Sequence, residues 1–217
     1  MGFRRFVKRL PVALILLIHG FITACTTRDT GITEPSSILD PGGGVALFPA
    51  DRTSEGVTAC VAELLSNQLP NVRIAAGPAA AGMAFGPVAE SAPAGRPEER
   101  PWPDPLQPEA RTRLSSHGIR YIVTVSVRTW RSGSGVQDAP PFFVAALDER
   151  SSEGEARVFE AASGKLLIPT HARAHGSVGT VAVFLIPIPF FAFTESRVCH
   201  TMGSHLGEIF GGVRAAD

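Results

Sequence analysis

The sequence predicts a single α/β domain of the α+β sandwich type: a mixed, mostly antiparallel sheet of about five strands with two long helices packed on it. Three observations predict it. Short apolar runs bounded by turn residues occur at 45–49 and 72–75, and an alternating run covers 120–130. Apolar residues recur at helical spacing over 55–69 and 194–210. The 217 residues suit one domain with a real core.

Composition excludes several classes. Twenty bases balance 20 acids, and hydrophobic residues make up 44% of the chain. A basic nucleic-acid binder and a disordered acidic tail are both ruled out by this balance. Three cysteines are too few for a disulfide-rich mini-protein.

The balance conceals an asymmetry. Arg4, Arg5, Lys8 and Arg9 crowd the N-terminus, an apolar stretch of about 14 residues follows, and no acid precedes Asp29. That stretch is shorter than the roughly 20 residues a spanning helix needs, so 1–24 reads as a secretory signal. It ends in Ile22-Thr23-Ala24-Cys25. These four residues resemble the lipobox of bacterial lipoproteins. The resemblance implies a lipid on the Cys25 thiol, cleavage before Cys25 and an acyl chain on the new N-terminus. Two or more chains anchor stably where one holds only marginally. Thr26 follows instead of the Asp linked with inner-membrane retention, so the implied location is the outer membrane, facing the periplasm. Removing 24 residues from 217 leaves 193, and removing four of the 20 bases leaves a mature net charge of −4.

Residues 25–44 are polar and rich in turn formers, a flexible tether. Gly42-Gly43-Gly44 precedes a strand and lacks a following Gly-Lys-Ser/Thr, so it is not a phosphate loop. The strand at 45–49 leads to a helix over 55–69. Thr53 or Ser54 is placed to cap it, Val57, Val61, Leu64 and Leu65 mark its apolar side, and Pro70 ends it. A short strand at 72–75 completes β-α-β. Residues 77–108 contain eight of the 18 prolines and read as a surface insertion in which Trp102, between two prolines, docks on the domain or meets a partner.

A short helix over 108–117 carries Pro near its start and Gly118 just past its end. The strand at 120–130 follows, with 131–135 as a mobile Gly/Ser loop. Strand character resumes at 142–147. Residues 156–161 and 165–174 flank Ala162-Ser163-Gly164 as a hairpin. Thr194 is placed to cap a closing helix to about 210, and 213–217 form a tail.

The order Val-Ala-Leu-Phe-Pro, Ala-Glu-Leu-Leu, Gly-Ile-Arg-Tyr-Ile-Val-Thr-Val-Ser-Val and Val-Phe-Glu-Ala-Ala-Ser-Gly-Lys-Leu resembles a small α/β domain of the bacterial envelope. That domain is shared by the TolB N-terminal domain and by CsgG-, FlgO- and LpoB-like lipoproteins, and the likeness covers most of 45–210. It implies a non-catalytic binding or adaptor module with an envelope-protein partner, or alternatively an oligomeric assembly or secretion component of CsgG type. The chain departs from the family in its proline-rich insertion and in residues 181–193.

Those 13 residues are consecutively apolar and include Pro187, Ile188, Pro189, Phe190 and Phe191. They are too short for a spanning helix, and the prolines break one. They do not alternate as a lipid-facing barrel strand does. Two readings stay open: a strand buried on both faces followed by a capping loop, or an exposed patch touching membrane or a partner.

Cys60 and Cys199 lie beside the apolar stripes of the first and last helices. They can form a disulfide in an oxidising periplasm if those helices pack side by side. His171 and His175 are four apart on a strand and His200 and His205 five apart on a helix; neither pair matches a zinc spacing. Ser134 lacks the Gly-x-Ser-x-Gly context of a nucleophile elbow. Glu153, Glu155 and Glu160 read as solvated charges. The expectation is therefore no enzyme, no cofactor and no metal, with a bilayer engaged through Cys25.

Overall fold

The computed structural model describes residues 39, 42–86, 102–138, 143–183, 186–190 and 193–211. The signal, Cys25, the C-terminal tail, Phe191 and part of the proline-rich insertion lie outside them. Six strands form one sheet in the order β2-β1-β3-β4-β5-β6. They are β1 (Gly44–Pro49), β2 (Ile74–Ala76), β3 (Ile119–Asp138), β4 (Phe143–Glu160), β5 (Leu166–Val183) and β6 (Ile186–Phe190). The first two pairings, β1 with β2 and with β3, are parallel, and the rest are antiparallel. The helices are α1 (Glu55–Gln68), α2 (Gly77–Phe85), α3 (Pro108–Ser116) and α4 (Thr194–Ile209).

Alternation along β3 explains the two cores. Tyr121, Val123, Val125 and Val127 face one side with Ala156, Val158, Ala172 and Ala174, and α1 and α4 cover them. Ile122 faces the other side with Ala46, Phe48 and Phe159, under Ala80 and Ala84 of α2 and Leu114 of α3. α2 corrects the reading of 77–108 as wholly a surface loop. Pro78 sits in the first turn, where its missing N–H costs nothing, and the alanine-rich stretch is narrow enough to pack on the sheet.

The strands are longer than expected. Residues 131–135 are not a loop; β3 continues through them, with an irregularity between Arg131 and Gly133 that absorbs the Gly/Ser composition. Within residues 181–193 the described part is strand, and 184–185 and 191–192 lie outside the described residues. β5 runs to Val183 and the chain returns as β6, an edge strand. The two prolines are tolerated because an edge strand needs ladder donors on one side only.

Ser54 joins α1 to β3. Where β1 stops, the Val127 N–H finds the Ser54 Oγ at 2.9 Å. Ser54 Oγ in turn donates to Asp51 Oδ1 at 2.8 Å, which also accepts from Ser54 N–H at 2.9 Å and Thr53 Oγ1 at 2.6 Å. Asp51, instead of Thr53 or Ser54, therefore supplies the capping oxygen, to the 3-10 turn Arg52–Ser54 that precedes α1. Thr194 likewise does not cap α4; its hydroxyl lies 2.6 Å from Ser152 Oγ on the sheet.

Two predictions follow from the packing. A Cβ at Gly154 on β4 would fall on Val198 and within 3.0 Å of Met202, both on α4, while one at Gly56 meets nothing. Gly154→Val should lower stability by about 1–3 kcal/mol in urea unfolding, whereas Gly56→Ala in α1 should raise it by about 0.5–1 kcal/mol. Asp51 is the second site. Its partial burial favours the neutral acid, but the hydrogen bonds from Thr53 and Ser54 outweigh that and hold its pKa below the usual 3.8. Its contribution is thus present above that value and lost as pH falls through the depressed folded pKa. Asp51→Ala should cost about 1 kcal/mol at neutral pH, and its stability gap to the parent should close in acid. A gap constant with pH would contradict the assignment.

Candidate interaction surfaces

The disulfide comes first because it sets how the helices lie. Cys60 on α1 and Cys199 on α4 are bonded, with Cα atoms 6.1 Å apart. Below them Gly203 meets Leu64, and Gly207 meets Gln68. Cys60, Leu64 and Gln68 thus match Cys199, Gly203 and Gly207 rung by rung. Both series step by four residues, so the helices run parallel along one seam. The glycines let the backbones approach where any Cβ would push Leu64 or Gln68 aside.

The second feature is the sheet face opposite α1 and α4. α2 and α3 cover its beginning. Beyond them, register brings together Arg128, Glu153 and Arg173 in one row, Ser126, Glu155 and His171 in the next, and Trp130, Ser151 and His175 in a third. Arg173 donates to Glu153 Oε1 through Nε at 2.9 Å and Nη2 at 2.6 Å. Arg157 is paired with Glu155 through Nε at 2.6 Å. Glu160 accepts from Ser163 Oγ in the hairpin turn. Of these contacts only Arg173–Glu153 crosses strands; those of Glu155 and Glu160 are local, and all three glutamates are partly exposed, as solvated charges are. Trp130 is 44% exposed at its end.

Register also produces one contact that spacing along the chain does not reveal. Ser151 Oγ lies 2.7 Å from His175 Nδ1. Ser151 is only 1% exposed, and among the described residues no carboxylate bonds the other nitrogen of His175, so the pair lacks the orienting group of a nucleophile–base system. His171, one row pair away, stands opposite Glu155 instead. On the α4 side, Thr194, Ser152 and Thr129 hydroxyls are linked in turn, and Thr129 Oγ1 donates to Glu195 Oε1 at 2.9 Å. Among the described residues no group of three or more His, Cys, Asp or Glu is arranged to hold a metal.

The remaining sequence candidates separate. Trp102 is half-buried, and its Nε1 donates to Glu55 Oε1 at 3.0 Å, which docks it at the start of α1. Pro187, Ile188, Pro189 and Phe190 lie on β6, far from Trp102 in the topology. Among the described residues no helix is long and apolar enough to cross a membrane.

No protein-family model matches the chain, and no curated protein matches it in sequence. Solved structures resemble it distantly. A neuraminyllactose-binding hemagglutinin homologue from Helicobacter pylori aligns at 7% identity and a TM-score of 0.43, over 82% of this chain and 91% of that one. The PelC dodecamer from Paraburkholderia phytofirmans aligns at 14% identity and 0.32, over 88% and 99%. Lipoprotein GNA1162 from Neisseria meningitidis aligns at 13% and 0.31, over 62% and 83%. Of these three, GNA1162 is described as a lipoprotein.

The disulfide gives the prediction here. Its loop spans a sequence separation of 139 residues. Replacing both cysteines by serine should cost about 2–4 kcal/mol, largely by freeing the unfolded chain. Thiol titration of the denatured, unreduced protein should find neither Cys60 nor Cys199 free.

Proposed function

We propose that this is a non-catalytic, lipid-anchored lipoprotein of the bacterial envelope, held at the outer membrane through Cys25 and acting as a binding or adaptor module on its periplasmic side. The observation that carries the reading is the N-terminal pattern: four bases, a short apolar stretch and Ile22-Thr23-Ala24-Cys25, followed by a polar tether. The open face of β3, β4 and β5 supports the binding role. It offers Arg128, Arg173, Glu153 and Trp130 on a rigid sheet, a mixed-charge surface with an aromatic anchor suited to another folded protein.

One observation favours the oligomeric reading. Among the described residues, the outer edge of β3 beyond Val127 and that of β5 before Gly179 have no strand partner. Open edges are where further strands add. A monomer by light scattering in mild detergent would remove that alternative.

The anchor is tested by mass. The protein purified from membranes should lack residues 1–24 and carry diacylglycerol and an amide-linked acyl chain on Cys25, while Cys25→Ser should leave an unprocessed precursor. An unmodified Cys25 in the membrane fraction would overturn the reading. Crosslinking in cells should recover a protein partner from the parent chain and lose it in Arg128→Glu/Arg173→Glu.

A further inference from the structure

The long strands change character along their length. In the body, rows from Tyr121 to Val127 are covered on the α4 side by helices. α4 begins at the Ser152 row, where Thr194 is bonded, and runs away from the far end of the strands to place Phe210 against Tyr121, ring centroids 5.4 Å apart. α1 also starts near Val127 and ends beside β2. Past these rows comes a charged collar: Arg131 opposite Arg150, then Glu149 and Asp148, with Arg131 Nε 2.8 Å from Asp148 Oδ1.

Beyond the collar, β4, β5 and β6 share five cross-strand rows, from Leu147–Gly179–Phe190 to Phe143–Val183–Ile186. No row contains a charged residue, and Thr180 is the one polar residue type among them. Successive rows of a pleated sheet belong to opposite faces, so both faces of this end are apolar in residue type. A single docking partner covers one face. A surrounding apolar medium covers both.

The free edge points the same way. Prolines cannot donate, so ladder bonds to β5 come from Ile186, Ile188 and Phe190, and the nitrogens of Pro187 and Pro189 are directed to the outer edge. That edge is stripped of donors. Strand addition by a second copy would lose those bonds, and in lipid no unpaired donor is left there, only the Pro187 and Pro189 carbonyls, which water or headgroups must meet. On the opposite side, β3 carries Gln137 and Asp138 beside Ala145 and Val144, level with the inner rows, so β3 stays among the headgroups only if the sheet tilts to put β6 deepest. Two of the three exposed large hydrophobics among the described residues, Trp130 and the 71% exposed Phe193, stand at the root of this arm. Aromatic residues concentrate at that level of a membrane interface.

We propose that the β4–β5–β6 end inserts into one leaflet of a phospholipid bilayer, with β6 leading and the collar among the headgroups. Length decides against spanning: five rows rise about 16 Å, against about 15 Å for one leaflet's hydrocarbon and about 30 Å for both. Where Cys25 is acylated as proposed above, the two attachments stand at opposite ends of the sheet. Leu39 N–H is fixed to the Ile209 carbonyl at 2.7 Å, at the base. From there the 20-residue strand β3 extends roughly 60 Å. The fourteen peptide units from Cys25 to Leu39 reach at most about 50 Å. With about 16 Å of that length in the leaflet, the base stands about 44 Å from the hydrocarbon, within the tether's reach, so one leaflet can hold both ends.

Depth-dependent quenching tests the insertion independently of acylation. The mature protein with Trp102→Phe, Trp130→Phe and Ile186→Trp is mixed with vesicles of phosphatidylethanolamine and phosphatidylglycerol. Its emission should shift to the blue and be lost to lipids brominated near the acyl-chain midpoint. The Trp102→Phe protein, reporting Trp130, should be quenched only by bromines close to the headgroups. Ile188→Trp on the same background replaces Ile186→Trp if the latter fails to form the Cys60–Cys199 disulfide. Emission at the tip that vesicles leave unchanged would overturn the proposal. So would a blue shift without quenching accompanied by doubled particle mass, which would assign the tip to a second copy.

Discussion

The seam between α1 and α4 is the constraint on which the rest of the structure depends. Three rungs, Cys60 with Cys199, Leu64 with Gly203 and Gln68 with Gly207, hold two helices close and parallel over one sheet face. Because both helices start near the Val127 and Ser152 rows and run the same way, their cover ends where they begin. Gly154 fits α4 onto β4 just inside that limit. The body is thus a clamped unit of fixed height, and strands of 18 to 20 residues outrun it.

That mismatch between helix and strand length sorts the chemistry into zones. Inside the clamp, alternation puts branched aliphatic residues under the helices, and the covalent bond limits how far the helices can part. On the uncovered face, charges have no helix above them and settle into the Arg173–Glu153 and Arg157–Glu155 pairs. Exposed pairs of this kind contribute little stability, so their value lies in presenting a fixed mixed-charge surface. At the far end, residue types that would be core in another context continue past the last helix. Among the described residues no helix lies over this apolar strand end, and the donor-free edge of β6 favours another solvent over another chain.

Much of this was legible in the sequence, for identifiable reasons. Turn chemistry at Ala162-Ser163-Gly164 and strict alternation over 120–130 identified a hairpin and a core strand, because those signals are local. The pairing of Cys60 with Cys199 was legible as a conditional, since it needed only that the first and last helices be neighbours. The rest was hidden by non-locality. The matching four-residue steps of Cys-Leu-Gln and Cys-Gly-Gly become a signal only when the two helices are laid side by side. Gly133 and Gly135 argued for a loop, yet the pairing of β3 with β4 on both sides of Arg131 overrode that propensity. Pro187 and Pro189 argued against a helix over 181–193 but could not tell a central strand from an edge strand, which the pairing decides. The contact of Ser151 with His175 depends on register across 24 residues, which composition cannot supply.

Hydrogen–deuterium exchange on the membrane-bound protein, compared with the same protein in detergent below its critical micelle concentration, reads all the zones at once. The account predicts slow exchange in α1 and α4 in both conditions, unchanged exchange in the rows of Arg128, Glu153 and Arg173, and new protection in membranes confined to residues 143–147 and 179–190. Protection gained on the charged face instead, or a far end that exchanges equally fast with and without lipid, would contradict it.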